Sequence, residues 1–205
     1  MTEFPLGAVV ADIARMTEQM TAEWPTLETR RLVLRPSRAE DFDAYAEFMS
    51  DEESARFVGG VQSRSVAWRG FLQIAGAWHL QGFSMFSVIS KSSGEWIGRV
   101  GPWMPEGWPG TEVGWGIVRS HWNQGYASEA ATASIDWAFA ELGWDEVIHV
   151  IERGNEASSA VAIKLGSRNR GPGRMPQPHD DKVVDIWGQT KQEWQERNRG
   201  RALGA

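Results

Sequence analysis

Residues 112–130 read EVGWGIVRSHWNQGYASEA, and this stretch decides the fold. A short β-type run (Val113, Trp115, Ile117, Val118) meets a polar turn holding one glycine, Gly125. A helix of small residues then begins: Ala127, Ser128, Ala130, Ala131, Ala133, Ser134. Strand, tight turn and helix N-terminus, in that order, present several backbone N–H groups and the positive end of a helix dipole to an anion. Small side chains on the first turns let another body lie against them. The stretch predicts a phosphate-bearing cofactor held mostly by main chain.

Upstream, Phe83 to Ile89 and Glu95 to Trp103 read as two strands joined through Lys91-Ser-Ser-Gly94, a hairpin loop. Pro102, Pro105, Pro109, Gly107 and Gly110 make a rigid loop before the strand from Thr111 to Val118. Earlier still, Arg31 to Arg35 is a short strand stopped by Pro36. Ser37 and Glu40 then form a capping box for a helix over Ala39 to Met49. Asp51-Glu52-Glu53 opens a second short helix, and Ser65 to Leu80 a longer one that buries Val66, Phe71, Leu72, Ile74 and Ala75. Near the start, Val9, Ile13, Met16 and Met20 recur at helical spacing until Trp24-Pro25. This suits an amphipathic N-terminal extension packed on the main domain or on a second copy.

Downstream of the first helix come a strand (Val147 to Ile151), a helix (Asn155 to Leu165) and a weak polar strand (Ser167 to Arg170). A Gly/Pro-rich loop to Pro178, a last strand (Val183 to Trp187) and a polar helix containing Trp194 complete the chain. An antiparallel meander followed by strand–helix–strand implies an α/β (α+β) fold: one mixed, mostly antiparallel sheet with helices on both faces. The boundaries read as an extension over residues 1–27, a main domain over 28–194 and a polar tail over 195–205.

The 205 residues suffice for one domain with a sizeable core. A net charge of −6 argues against a nucleic-acid partner. With no cysteine, disulfides, thiolate-bound zinc and an acyl-cysteine intermediate are excluded. Histidines 79, 121, 149 and 179 show no ligand-like pairing, so no metal site is expected. The N-terminus lacks the basic and long apolar segments of a signal or membrane anchor, which suits a cytoplasmic protein. Several of the 12 tryptophans fall in strands, where core packing is the ordinary reading. Trp103 and Trp108, flanking the rigid loop, are better placed to line a cleft.

Five segments together spell a family: Glu28-Thr-Arg-Arg-Leu-Val-Leu-Arg-Pro36 with Asp41, Glu95-Trp-Ile-Gly98, Glu112-Val-Gly-Trp115, Trp122-Asn-Gln-Gly-Tyr-Ala-Ser-Glu-Ala130 and Asn155-Glu-Ala-Ser158. They resemble the GNAT-type N-acetyltransferases, within these the branch that includes ribosomal-protein N-terminal acetyltransferases. The resemblance implies acetyl-CoA as donor, a primary amine as acceptor, and a sheet splayed at the cofactor site. It implies main-chain contacts of Ile117, Val118 and Arg119 with the pantetheine arm. Backbone amides of Gln124, Gly125, Tyr126, Ala127 and Ser128 would hold the pyrophosphate.

Two departures stand out. Trp122 replaces the usual first residue of the pyrophosphate loop, and Ala162 stands where many relatives carry a tyrosine acid. Ser158 is left to protonate the leaving thiolate, unless water does. Asn155 is a good N-cap, and the resemblance also gives it a bond to the cofactor arm; one side chain can do both. Lys164 either reaches a cofactor phosphate or belongs to a solvated face, and Arg168, Arg170 and Arg174 read as solvated surface. Glu112 is the candidate base, since an alkylamine with a pKa of about 10 must lose a proton before it attacks. Topology places the acceptor near Arg56, Phe57, Trp103 and Trp108. The net negative charge favours cationic acceptors through steering. The leading helix suits a homodimer. A non-catalytic acyl-CoA-binding module is the rival reading; a Trp-rich carbohydrate-binding β domain is disfavoured by the small-residue helix.

Overall fold

A computed structural model describes residues 24–202, so the expected N-terminal helix lies outside the described residues. The chain forms an eight-stranded mixed sheet in the order β1-β2-β3-β4-β5-β6-β8-β7. The strands are β1 (Leu27–Glu28), β2 (Leu32–Arg35), β3 (Phe86–Ser90), β4 (Trp96–Trp103), β5 (Glu112–Ile117), β6 (Glu146–Glu152), β7 (Arg168–Gly173) and β8 (Val184–Thr190). Six α-helices accompany them among the described residues: α1 (Phe42–Ser50), α2 (Glu52–Ala55), α3 (Arg64–Gln81), α4 (Tyr126–Glu141), α5 (Glu156–Leu165) and α6 (Lys191–Ala202). β1 to β5 run as an antiparallel meander, β5 and β6 are parallel across α4, and β6, β8 and β7 close antiparallel.

Period-two alternation along β5 sorts its two faces. Val113, Trp115 and Ile117 turn toward α4 and share a core with Leu32, Leu34 and Ile135. Glu112, Gly114 and Gly116 turn the other way, where α1 and α3 contribute Tyr45, Phe48, Phe71 and Ile74. Gly116 lacks a side chain because Phe48 lies on it: a Cβ there would stand 2.9 Å from the phenyl ring. That close approach seats α1 on the sheet.

Several local expectations change. Ser37 and Glu40 do not form the capping box. Asp41, the last residue of a short 3-10 turn over Ala39–Asp41, does the capping instead: it reaches back to accept the Arg38 N–H at 2.9 Å and takes a two-pronged contact from Arg35 at 2.7 and 2.8 Å. A buried carboxylate needs such charged donors more than an exposed one does. In α3, Phe71 and Ile74 are buried as expected, whereas Val66 and Leu72 are 44% and 49% exposed. The helix meets the sheet on one narrow stripe and those two lie outside it. The weak strand at 167–170 is genuine and longer, reaching Gly173 at the sheet's edge. α6 runs through the 194/195 boundary; its Trp194 is buried and donates to Asp136 of α4 at 2.6 Å.

Candidate active site

β5 and β6 pair at a single register position, Glu112 with Ile148, and then part. Two side chains take over the hydrogen bonds that the ladder gives up. Glu112 Oε1 accepts the Val150 N–H at 3.1 Å. The His149 ring reaches the Val113 carbonyl through Nδ1 at 2.7 Å. A carbonyl only accepts, so Nδ1 carries the hydrogen and Nε2 is the acceptor. The Ser167 hydroxyl donates to Nε2 at 2.9 Å and in turn receives an N–H of Gln189 at 2.9 Å. This buried relay bridges the seam where the ladder stops.

Both groups are shifted by burial. Loss of water raises the Glu112 carboxyl to about 7, opposed by the Val150 N–H, the Trp108 indole and the charge of Arg99. Loss of water pushes His149 down to about 4, so the imidazole is neutral at physiological pH. The Trp108 Nε1–H donates to Glu112 Oε2 at 2.5 Å, and the Trp103 ring meets Trp108 edge-on at 6.4 Å. The rigid Pro/Gly loop thus sets the second oxygen of Glu112, as well as bordering the cleft.

Across the seam, the Trp115 indole donates to Ser158 Oγ at 3.2 Å, and its ring lies 4.7 Å from that of His149. Because Ser158 accepts there, its own hydroxyl hydrogen is free to point elsewhere. Asn155 caps α5, its Oδ1 accepting the Ser158 N–H at 3.1 Å, which leaves the Asn155 amide hydrogens uncommitted by the cap. Ala162 is fully buried against the sheet. Val118 turns its N–H to Ile97 of β4, at 3.0 Å, so the alternation gives the seam the main-chain groups of Trp115 and Ile117. The carbonyls of Ile117, Val118 and Arg119 already accept from the Trp122 indole at 2.6 Å, the His121 N–H at 2.9 Å and the Trp122 N–H at 3.1 Å. Each keeps a second lone pair. Trp122 therefore staples the following loop to the end of β5.

That loop ends at Gly125, the N-cap of α4, in the left-handed conformation (φ 79°, ψ 8°) and without a side-chain cap. The N–H groups of Tyr126, Ala127 and Ser128 consequently have no partner within the helix. Two cations converge over them: a Cβ on Gly125 would stand 3.6 Å from an Arg31 nitrogen and 3.7 Å from Lys164 Nζ. Arg31 is fixed there by Glu129 at 2.6 Å and the Gln124 carbonyl at 2.9 Å, with its guanidinium over the Tyr126 ring. Unpaired helix N–H groups with two converging cations form a site for a doubly charged anion.

Glu112, Asn155, Ser158, Phe57, Trp103 and Trp108 all line one cavity of about 460 Å³ that runs through the seam. Arg56 is not brought there; it is exposed and stacks on the Phe57 ring at 5.0 Å. Arg168 and Arg170 pair with Glu193 and Glu146 at 3.6 and 2.6 Å. Sequence reasoning gave no role to Arg31, Arg99 or His149. For His149 a signal existed: a histidine within the apolar run Val147-Ile-His-Val-Ile151 must find partners when buried. Among the described residues no cluster of three or more His, Asp or Glu fits a metal ion, and no helix is long and apolar enough to cross a membrane.

A family model described as "Acetyltransferase (GNAT) domain" matches residues 31–168. The chain belongs to the GNAT acetyltransferase family. An N-acetyltransferase of Bacillus licheniformis, p20, is 30% identical over 165 residues, covering 79% of this chain and 93% of its own. The crystal structure of an acetyltransferase from Agrobacterium tumefaciens is 32% identical, with TM-score 0.71 over 82% of this chain and 95% of its own. Ribosomal-protein-S5-alanine acetyltransferase from Vibrio fischeri, 18% identical with TM-score 0.65 over 83% of this chain and 98% of its own, is alike in fold. This GNAT protein is an N-acetyltransferase.

Proposed function

We propose that the chain transfers the acetyl group of acetyl-CoA to a primary amine by direct attack in a ternary complex. Three features support this reading: the Gly125 anion cradle, the unpaired seam, and Glu112 where the strands part. The residues present fit the coenzyme. A diphosphate takes the free N–H groups of α4 together with Arg31 and Lys164. The pantetheine amides take the main-chain groups of Trp115 and Ile117, aided by the Asn155 amide. When bound, acetyl-CoA supplies an acyl group on a thioester, open to attack by an amine.

The chain's own contributions follow. Glu112, near half-ionised at neutral pH, accepts the proton of the incoming ammonium, directly or through a water. Trp108 and the Val150 N–H hold both its oxygens, so the base does not swing. The Ser158 hydroxyl, oriented by Trp115, donates toward the departing sulfur. Neutral His149 keeps the strands apart without adding charge to the site. Phe57, Trp103 and Trp108 shield the meeting point from water.

The test is release of coenzyme A from acetyl-CoA with a panel of primary amines between pH 6 and 9. The wild type should show kcat/KM rising through a limb near pH 7. Glu112→Gln should lower it about a hundredfold near neutrality and remove that limb, while calorimetry still detects acetyl-CoA uptake. A limb that survives the substitution unchanged would remove Glu112 from the role of base.

A further inference from the structure

The α1/α3 side of the same cavity carries a cation that, among the described residues, has no ion-pair partner. Arg99, on β4 opposite Gly116, lines the cavity on the face that Glu112 shares. Its Nε is buried without a hydrogen-bond partner. One of its terminal nitrogens meets only the Met85 thioether, at 3.4 Å, a weak acceptor, and the guanidinium stands 6.0 Å from the Tyr45 ring. Among the described residues it forms no ion pair. Of the cavity's acidic groups, Glu112 feels the charge of Arg99 without forming an ion pair with it, Glu152 pairs with Lys182 at 3.1 Å, and Glu106 is exposed on the Pro/Gly loop. Gln62 Oε1, on the same cavity, is buried and equally without a partner.

A guanidinium stays protonated at any working pH, and its planar fork is built for carboxylate or phosphate oxygens. Leaving such donors buried and unmet is costly, so a site that does so is complete only with its ligand. A polyamine or aminoglycoside would bring a second cation toward Arg99 and meet repulsion. An amine carrying an anionic group presents the right charge at each end: its nitrogen toward Glu112, its anion toward Arg99.

We infer that the acceptor of this enzyme is a small primary amine that also bears an anionic group, a carboxylate or a phosphate, which Arg99 engages. This rests on the acetyl-transfer reading above and narrows it. It also reverses the expectation from net charge, because a local unpaired cation outweighs a distant negative field within the pocket.

The experiment compares four acceptors of matched length in coenzyme A release: an amino carboxylate, an amino phosphate, the neutral amino amide and a diamine. Wild type should favour one of the two anionic amines over the amide by tenfold or more, about 1.4 kcal/mol, and disfavour the diamine. Whichever anion leads identifies the source. Arg99→Gln should collapse the ratio of anionic amine to amide toward one, and Arg99→Lys should retain part of it. Taking the ratio within each variant removes any effect of reduced folding. Rates on both anionic amines no higher than on the amide, a preference for the diamine, or an undiminished ratio in Arg99→Gln would overturn the inference while leaving acetyl transfer intact. No release with any amine would instead overturn the acetyl-transfer reading beneath it.

Discussion

Glu112 leaves water to sit at the mouth of the seam, and its two oxygens receive a peptide N–H and an indole N–H in return. Neither partner is charged, so burial prevails and the proton is held to about pH 7. Trp108 is one of the groups pulling in the opposite direction. Trp108→Phe should therefore move the alkaline-rising limb of kcat/KM upward in pH, an effect read from the same rate profile as the wild type; a downward shift would contradict the stated cause. At this scale the sequence was partly legible. Position 112 stood out because an acid opens the central strand and the family resemblance places a carboxylate there. Arg99 did not, since a cation within a strand looks the same on paper whether it faces solvent or an unfilled cavity.

For the elements, the strand–turn–helix over 112–141 was legible because each part obeys a local rule: alternation in β5, a glycine at positive φ, small residues in α4. Gly125→Ala meets two obstacles there. It forces a side chain into the left-handed region and puts a methyl group between Arg31 and Lys164. Acetyl-CoA affinity, measured by calorimetry, should fall tenfold or more, with kcat less affected than KM. What could not be read was the parting of β5 from β6. It depends on His149 and Glu112 reaching across to partners 36 and 38 residues away. The capping box at Ser37 failed for a similar reason: the Ser87 hydroxyl, on β3, bonds both Ser37 and Asp41, and this contact with partners 50 and 46 residues away outcompeted a local pattern.

Over the whole molecule, the two buried titrating groups oppose each other. Glu112 has a folded-state pKa raised from 4.5 to about 7, so the native state gains on acidification through that window. His149 is lowered from 6.5 to about 4, so its contribution is full above 6.5 and is lost as pH falls toward 4. Each term is on the order of 3 kcal/mol, and they nearly cancel between pH 7 and pH 5. The wild-type melting temperature should change little from these two groups over that range. Glu112→Gln removes the acid-side gain, so its melting temperature should drop on going from pH 7 to pH 5. A parallel response in both proteins would contradict the assignment. The architecture as a whole was legible from the order of its segments, because a meander followed by a crossover admits few sheets.

The last helix also bears on how the protein can be handled. Arg197 of α6 donates to the carbonyl of Lys164 at 2.5 Å, and Trp194 ties the same helix to α4. Lys164 is one of the two cations over Gly125. A shortened version ending at residue 190 would look like the loss of a dispensable tail. It would instead take buried Trp194 out of the core and unmoor an ammonium at the proposed diphosphate site, so a lower melting temperature and poor saturation by donor should appear together.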